Sequence, residues 1–266
     1  MISVYRDGKL CETASLRQAV SRGMVRDKRR PVISAVGAGG KTTTLRRLSD
    51  AYIREGVPVI VTTTTHILWE ERPYFLSGYS GEDIREILKT YGQVWVGQPA
   101  PGGKLGRLPD RELERLLEIA GRLPFRDEER AEGIPVLVEA DGAKGFPLKV
   151  PAGHEPVLLP CTTQVLSVYG LDAIGKKIED TVFRPELAER ILNRKRTERV
   201  TAEDIARLAA SGEAGRKGCP ANAGYTVVLN KADDEAGRAA ALSICRMLRQ
   251  ADVRNIIVTG GGQRSL

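Results

Sequence analysis

No stretch of this chain approaches the roughly 18 consecutive apolar residues that a membrane-spanning helix requires. The opening Met1-Ile2-Ser3-Val4-Tyr5-Arg6-Asp7 has neither a basic start followed by an apolar core nor a small-residue cleavage site. A cytoplasmic protein without a membrane partner is the expectation. Cysteine is scarce too: Cys11, Cys161, Cys219 and Cys245 lie far apart and form none of the Cys-x-x-Cys pairs of zinc or redox sites. They read as scattered thiols in a reducing compartment. Aromatic residues make up 5% of the chain, and the basic excess is small and diffuse, with 41 Lys and Arg against 34 Asp and Glu and a net charge of +7. Its densest basic run, Arg194-Lys195-Arg196, sits beside Glu189 and Glu198 without interleaved aromatics. That run reads as a solvated helix end, and a nucleic-acid partner is not expected.

What remains is an ordinary globular composition, 41% hydrophobic and 28% charged over 266 residues, enough to bury a full core without metals or disulfides. Residues 1–30 read as a small N-terminal cap with a short helix near 15–21 and a charged turn at 26–30. From Pro31 to the end, short apolar runs alternate with helical segments, which is the pattern of a mostly parallel sheet flanked by helices on both faces. Strands are expected at residues 32–36, 58–63, 93–96, 135–139, 225–229 and 255–259. The runs that are continuously apolar and β-branched suit strands buried on both faces. Helices are expected at 42–55, 81–91, 110–122, 185–192, 202–211 and 234–250, with Thr201 and Asp204 placed to cap the fifth. Gly- and Pro-rich stretches at 98–103 and 211–224 read as surface loops.

The chemistry concentrates at three strand ends. The run Val32-Ile33-Ser34-Ala35-Val36 leads into Gly37-Ala38-Gly39-Gly40-Lys41-Thr42-Thr43 and then into a helical pattern. Glycines let such a loop turn tightly with its N–H groups inward, and the following helix adds its positive end. Phosphate oxygens are the natural occupant of that arrangement, with Lys41 reaching the outer phosphates and the Thr42 hydroxyl ligating Mg²⁺. The first glycine of the usual Gly-x-x-x-x-Gly-Lys-Thr pattern is replaced by Ala35. The shortened Gly-x-x-Gly-Lys-Thr-Thr loop resembles that of Mur-type ATP-dependent ligases. A Gly-rich loop before Lys-Thr-Thr also resembles the metallochaperone and ParA-like branch of P-loop NTPases, although Val36 stands where that branch has its signature lysine.

A second apolar strand ends in Glu139-Ala140-Asp141-Gly142, where carboxylates at the carboxyl edge of a parallel sheet face a metal or its water shell. Glu139 with Gly142 resembles the acidic Glu-x-x-Gly motif of nickel-insertion GTPases. The stretch that follows, residues 141–156, carries too many glycines and prolines for a regular element and reads as a structured loop lining the site. Its Lys144, Lys149 and His154 are placed to bind a second, anionic substrate, and His66 to approach the outer phosphate. The expected catalytic set is Lys41, Asp141 and Lys144, with Thr42 and Glu139 on the metal.

A third strand runs into Asn230-Lys231-Ala232-Asp233, which matches the Asn-Lys-x-Asp of GTPases. In that resemblance Asp233 accepts two N–H bonds from guanine while Asn230 and Lys231 hold the loop. The alternative is that Asp233 caps the helix that follows. GTP and ATP both remain open.

Taken together, Val36 to Thr42, Thr62-Thr63-Thr64-Thr65, Glu139-Ala140-Asp141-Gly142-Ala143-Lys144-Gly145, His154-Glu155-Pro156 and Leu229-Asn230-Lys231 resemble the YqeC family, with the Glu-Ala-Asp-Gly-Ala-Lys-Gly segment as the specific part. That family is described as accessory proteins for selenium-dependent molybdenum hydroxylases. The resemblance therefore implies a P-loop-like fold and a part in maturing such an enzyme, with a nucleoside triphosphate and a molybdenum hydroxylase or its cofactor as partners. Three activities fit: a Mg²⁺-dependent NTPase, a ligase or kinase acting on a small anionic acceptor, and a non-catalytic nucleotide switch.

Overall fold

The computed structural model describes residues 1–24, 30–123 and 133–260. Most of the charged turn expected at 26–30 falls outside them. In chain order the elements are β1 (Ile2–Arg6), β2 (Lys9–Glu12), α1 (Leu16–Ser21), β3 (Val32–Gly37), α2 (Lys41–Arg54), β4 (Val59–Thr63), β5 (His66–Leu68), β6 (Phe75–Ser77) and α3 (Gly81–Tyr91). They continue with β7 (Gln93–Ala100), β8 (Lys104–Gly106), α4 (Asp110–Arg122), β9 (Val136–Glu139), β10 (Leu148–Lys149), β11 (Gln164–Gly170) and a 3₁₀ turn at Leu171–Ala173. The last are α5 (Ile178–Thr181), β12 (Val182–Phe183), α6 (Pro185–Leu192), α7 (Ala202–Ala210), β13 (Gly224–Asn230), α8 (Glu235–Gln250) and β14 (Asn255–Thr259).

These elements form an α/β three-layer sandwich around a large, mostly parallel sheet in the order β2-β1-β14-β13-β11-β3-β9-β4-β7-β8-β5, with β6 on β7. The central run from β14 to β7 is parallel throughout. The period-2 alternation of a strand sends successive side chains to opposite faces. Val59 and Val61 of β4, Leu137 of β9 and Val228 of β13 pack with Leu45 and Leu48 of α2. Their neighbours Ile60, Val136 and Val138 pack with Ile84 of α3 and Leu116 of α4. Val227 and Leu229 meet Ile205 and Leu208 of α7 and Ile244 and Leu248 of α8. Each such fully buried aliphatic side chain contributes about 1.5–3 kcal/mol of transfer free energy, and burial on both faces is why the central strands lack a polar alternation.

Local signals set the helix ends. Ser80 and Asp83 bond each other's backbone in a capping box that starts α3, and Thr201 and Asp204 do the same for α7. Residues 2–12 form a hairpin that continues the main sheet through antiparallel pairing of β1 with β14. The structure holds more strands than the sequence pattern predicts. Gln98–Ala100, read as loop, prolongs β7 and pairs with β8 across a turn at Pro101-Gly102-Gly103. Strand β11, which the sequence pattern did not single out, lies at the centre of the sheet between β3 and β13. It is buried along its whole length.

Candidate functional site

Parallel strands deliver their carboxyl ends to one edge of the sheet, and the three motifs meet there. β3 ends at Gly37 and α2 begins at Lys41, with Gly40 as a left-handed N-cap that has no capping side chain. The loop between them has two halves. The amides of Gly37, Ala38 and Gly39 donate to Asp141 Oδ2 at 3.0 Å, to the Val168 carbonyl at 2.9 Å and to the Phe146 carbonyl at 3.0 Å. These three residues shape the loop. The amides of Gly40, Lys41, Thr42 and Thr43 have no acceptor among the described residues, so they are the donors left for an anion at the positive end of α2. Gly39 has φ of +73°, and a Cβ there would collide with the backbone of Gly170 and come within 2.6 Å of the Pro147 carbonyl. Only glycine fits.

The acidic strand closes the site from the neighbouring position, since Ala35 of β3 pairs with Glu139 of β9. The Thr42 hydroxyl donates to Glu139 Oε2 at 2.6 Å. Lys41 donates to the Gly37 carbonyl at 2.7 Å, pairs with Asp141 Oδ1 at 3.1 Å and lies 4.0 Å from Glu139 Oε1. Burial pushes the Glu139 carboxyl above its ordinary value, and Lys41 and the Thr42 hydroxyl oppose that shift. Asp141 Oδ1 is buried without a hydrogen bond, its Lys41 neighbour being an ion pair only. Among the described residues no group of three or more His, Cys, Asp or Glu stands together as a metal cage. The Thr42 hydroxyl and Glu139 carboxylate are hard oxygen groups of the kind Mg²⁺ takes, one or two from the protein with phosphate oxygens and water completing the shell.

The loop after β9 departs from expectation. Lys149, read as a ligand for an anionic substrate, has no exposed side-chain surface. Its ammonium donates to the Gly142 carbonyl at 2.6 Å and pairs with Asp141 Oδ2 at 3.2 Å and Glu155 Oε2 at 2.8 Å. An ammonium with three acceptors in the interior is an internal tie. The other end of that tie is Glu155, which also accepts from Arg184 at 2.8 Å and from the Ala152 amide at 3.2 Å. Burial works to raise the Glu155 carboxyl, but the bonds from Lys149 and Arg184 prevail and hold it at about 2. Lys144 stands outside this cluster, exposed in a left-handed conformation with its ammonium 5.3 Å from the Phe183 ring. His154 is exposed in a turn, and His66 is exposed on β5 opposite Gly106.

At the end of β13, Asn230 joins the third motif to the first: its Nδ2 donates to the Gly39 carbonyl at 2.9 Å. Its Oδ1 accepts from the Lys231 amide at 2.9 Å and the Thr259 hydroxyl at 2.8 Å. Lys231, left-handed at φ +67°, pairs with Asp172 at 2.8 Å. The cap of α8 is Asp234, whose Oδ1 accepts from the Gly237 amide at 2.7 Å. Asp233 is not that cap, so the alternative reading of it is corrected. Gly170 and Asp172 went unrecognised in the sequence, although a β-branched and aromatic run at 164–169 ending in glycine was the available signal.

The model of the family described as YqeC protein matches residues 33–186, which include the glycine loop at 37–40, Glu139, Asp141, Lys144, Lys149 and Arg184. The chain belongs to the YqeC family. A YqeC relative, named uncharacterized protein YqeC, comes from Escherichia coli (strain K12) and is 30% identical over 154 residues. That match covers 57% of this chain and 56% of the relative, a little over half the length of each. The YqeC match ends before β13, so Asn230 to Asp233 stand outside it. Among the described residues no helix is long and apolar enough to cross a membrane.

Proposed function

We propose that this YqeC-family protein is a Mg²⁺-dependent nucleoside triphosphatase that serves the maturation of a selenium-dependent molybdenum hydroxylase. The observation that carries the nucleotide reading is the 2.6 Å bond between the Thr42 hydroxyl and Glu139, made where four unbonded amides and Lys41 converge. Bound Mg²⁺ would supply Lewis-acid polarisation of the phosphoryl oxygens. Thr42 and Glu139 would hold it, and the amides of Gly40 to Thr43 would take the inner phosphate. Lys41 would swing from the Gly37 carbonyl and Asp141 to the outer phosphates. Asp141 would remain neutralised by Lys149 as that happens, so the swing strands no buried charge.

The base is read as guanine. Asn230 to Asp233 stand at the end of the strand two places from β3, tied to the phosphate loop through Asn230. Two acceptor oxygens on Asp233 would pair the guanine N–H groups, and adenine would leave them unpaired. The assignment to molybdenum hydroxylases comes from the family resemblance and gives the reaction its setting.

Thermal unfolding against GTP, ATP and CTP with Mg²⁺ tests the reading. A ligand at about 100 times its Kd adds roughly 2.7 kcal/mol, which for a domain of this size raises Tm by about 5–11 °C. The expected order of effect is GTP, then ATP, then CTP. No shift with any of the three would end the proposal.

A further inference from the structure

A crossover between parallel strands such as β11 and β13 needs a single helix. Here α7 fills that role, packing its Ile205 and Leu208 with Ile244 and Leu248 of α8. Residues 171–200 exceed that need. They build a small lobe from the 3₁₀ turn, α5, β12 and α6, and the pairing of β12 with β10 fastens it to the loop that leaves the acidic strand. Between lobe and loop lies a cleft of about 410 Å³ lined by Pro147, Asp172, Lys176, Lys177, Asp180 and Arg199. Its inner wall adjoins the phosphate loop. The Pro147 carbonyl accepts the Gly170 amide at 2.9 Å, and the preceding Phe146 carbonyl holds the Gly39 amide.

We infer that this cleft binds a second ligand, a small phosphomonoester that also carries a hydroxyl or amino group. The inference builds on the nucleotide reading, which supplies the first ligand. The volume lies within the roughly 300–1,000 Å³ of ligand sites. Its cations are available. Among the described residues Lys176 has no ion pair, and the Arg199 guanidinium has none either, donating to the Gly175 carbonyl at 2.5 Å. Lys177 shares its charge with the half-exposed Glu179 at 3.3 Å. Of the two carboxylates, Asp172 is neutralised by Lys231. That leaves Asp180 as the one carboxylate of the lining without an ion pair among the described residues, and it is the reason the ligand carries a donor besides its phosphate. A planar guanidinium and an ammonium on one wall match phosphate oxygens. The cleft, not Lys149, is thus the anion site of the region.

Pyridoxal 5′-phosphate is a suitable probe, a phosphomonoester whose aldehyde forms an imine with a nearby lysine that borohydride then fixes. Labelling is followed by peptide mass spectrometry, with and without saturating Mg²⁺ and GTP. Lys176 is expected to react at least about tenfold faster than Lys89, an exposed lysine on α3, because a cationic cleft concentrates the anion. Inorganic phosphate should slow that labelling, and Arg199→Gln should slow it while leaving the target lysine in place. Labelling of Lys176 no faster than Lys89, or indifferent to inorganic phosphate, would overturn the inference. Protection by the nucleotide alone would also overturn it, by making the cleft part of the nucleotide site. Rapid, phosphate-protected labelling in a protein that fails to bind nucleotide would sustain the cleft and refute the nucleotide reading.

Discussion

Replacing Lys149 by methionine keeps the side-chain volume and removes a charge that has no exposed surface. Breaking a buried ion pair by deleting one partner costs about 3–5 kcal/mol. The structure places the expected value at the lower end. Asp141 keeps Lys41 at 3.1 Å and the Gly37 amide at 3.0 Å, and Glu155 keeps Arg184 at 2.8 Å, so neither carboxylate is left alone. A loss of about 3 kcal/mol at neutral pH corresponds to a Tm lower by roughly 6–12 °C in a domain of this size. Urea unfolding followed by circular dichroism measures it. Lys144→Met is the control, since its ammonium is exposed and among the described residues lies against the Phe183 ring without an ion pair, and the expected change is within about 0.5 kcal/mol. A loss below about 1 kcal/mol for Lys149→Met, the level of an exposed ion pair, would refute the claim that this lysine ties the loop to the phosphate site.

Glu139→Gln should weaken Mg²⁺-dependent nucleotide binding by about 10- to 100-fold, the range seen when a supporting ligand of a metal site is lost; titration at several Mg²⁺ concentrations reads it. Gly39→Ala, whose new methyl would meet the backbone of Gly170 and Pro147, should cost about 1–3 kcal/mol or more. It should also abolish nucleotide-induced stabilisation, and a variant that keeps both stability and binding would contradict the packing described for the loop. Asp233→Asn should erase the preference for GTP over ATP in competition binding with a stability change within about 1 kcal/mol, because Asp234 is the cap of α8; equal affinities for GTP and ATP in the parent would remove the guanine assignment.

Much of the frame was legible because its signals are local. Apolar periodicity with a Thr201 cap marks α7, and the bounds of α3, α4 and α6 follow the pattern residue for residue. The glycine loop between β3 and α2 and the acidic end of β9 also stand where the sequence pattern puts them, because strand, glycine run and helix follow one another locally. Strand β11 was not legible, because Gln164, Ser167 and Tyr169 interrupt its apolar run. Inside the core Gln164 Nε2 donates to the Thr226 hydroxyl at 2.7 Å, with Oε1 left without a hydrogen bond, and Ser167 donates to the Tyr169 hydroxyl at 2.9 Å. Lys149 was misread for the same reason, since a lysine in a Gly- and Pro-rich loop looks solvated until its carboxylate partners are located. The bond from Asn230 to Gly39 spans 191 positions of sequence, and no local pattern announces it. The sequence reading gives Glu139 to the metal and Asp141 to the catalytic set; the geometry adds that Glu139 meets the Thr42 hydroxyl, whereas Asp141 braces Gly37 and Lys41.

Calorimetric titration of GTP into the parent and into Lys41→Ala, with and without Mg²⁺, tests the central claim most directly, circular dichroism confirming that the variant is folded. The expected result is one Mg²⁺-dependent site per chain whose affinity falls by about 10²-fold or more in the variant, the order of effect of a single well-placed donor in an oxyanion site. Binding that is unchanged by Lys41→Ala in a folded protein, or absent from the parent, would contradict the account.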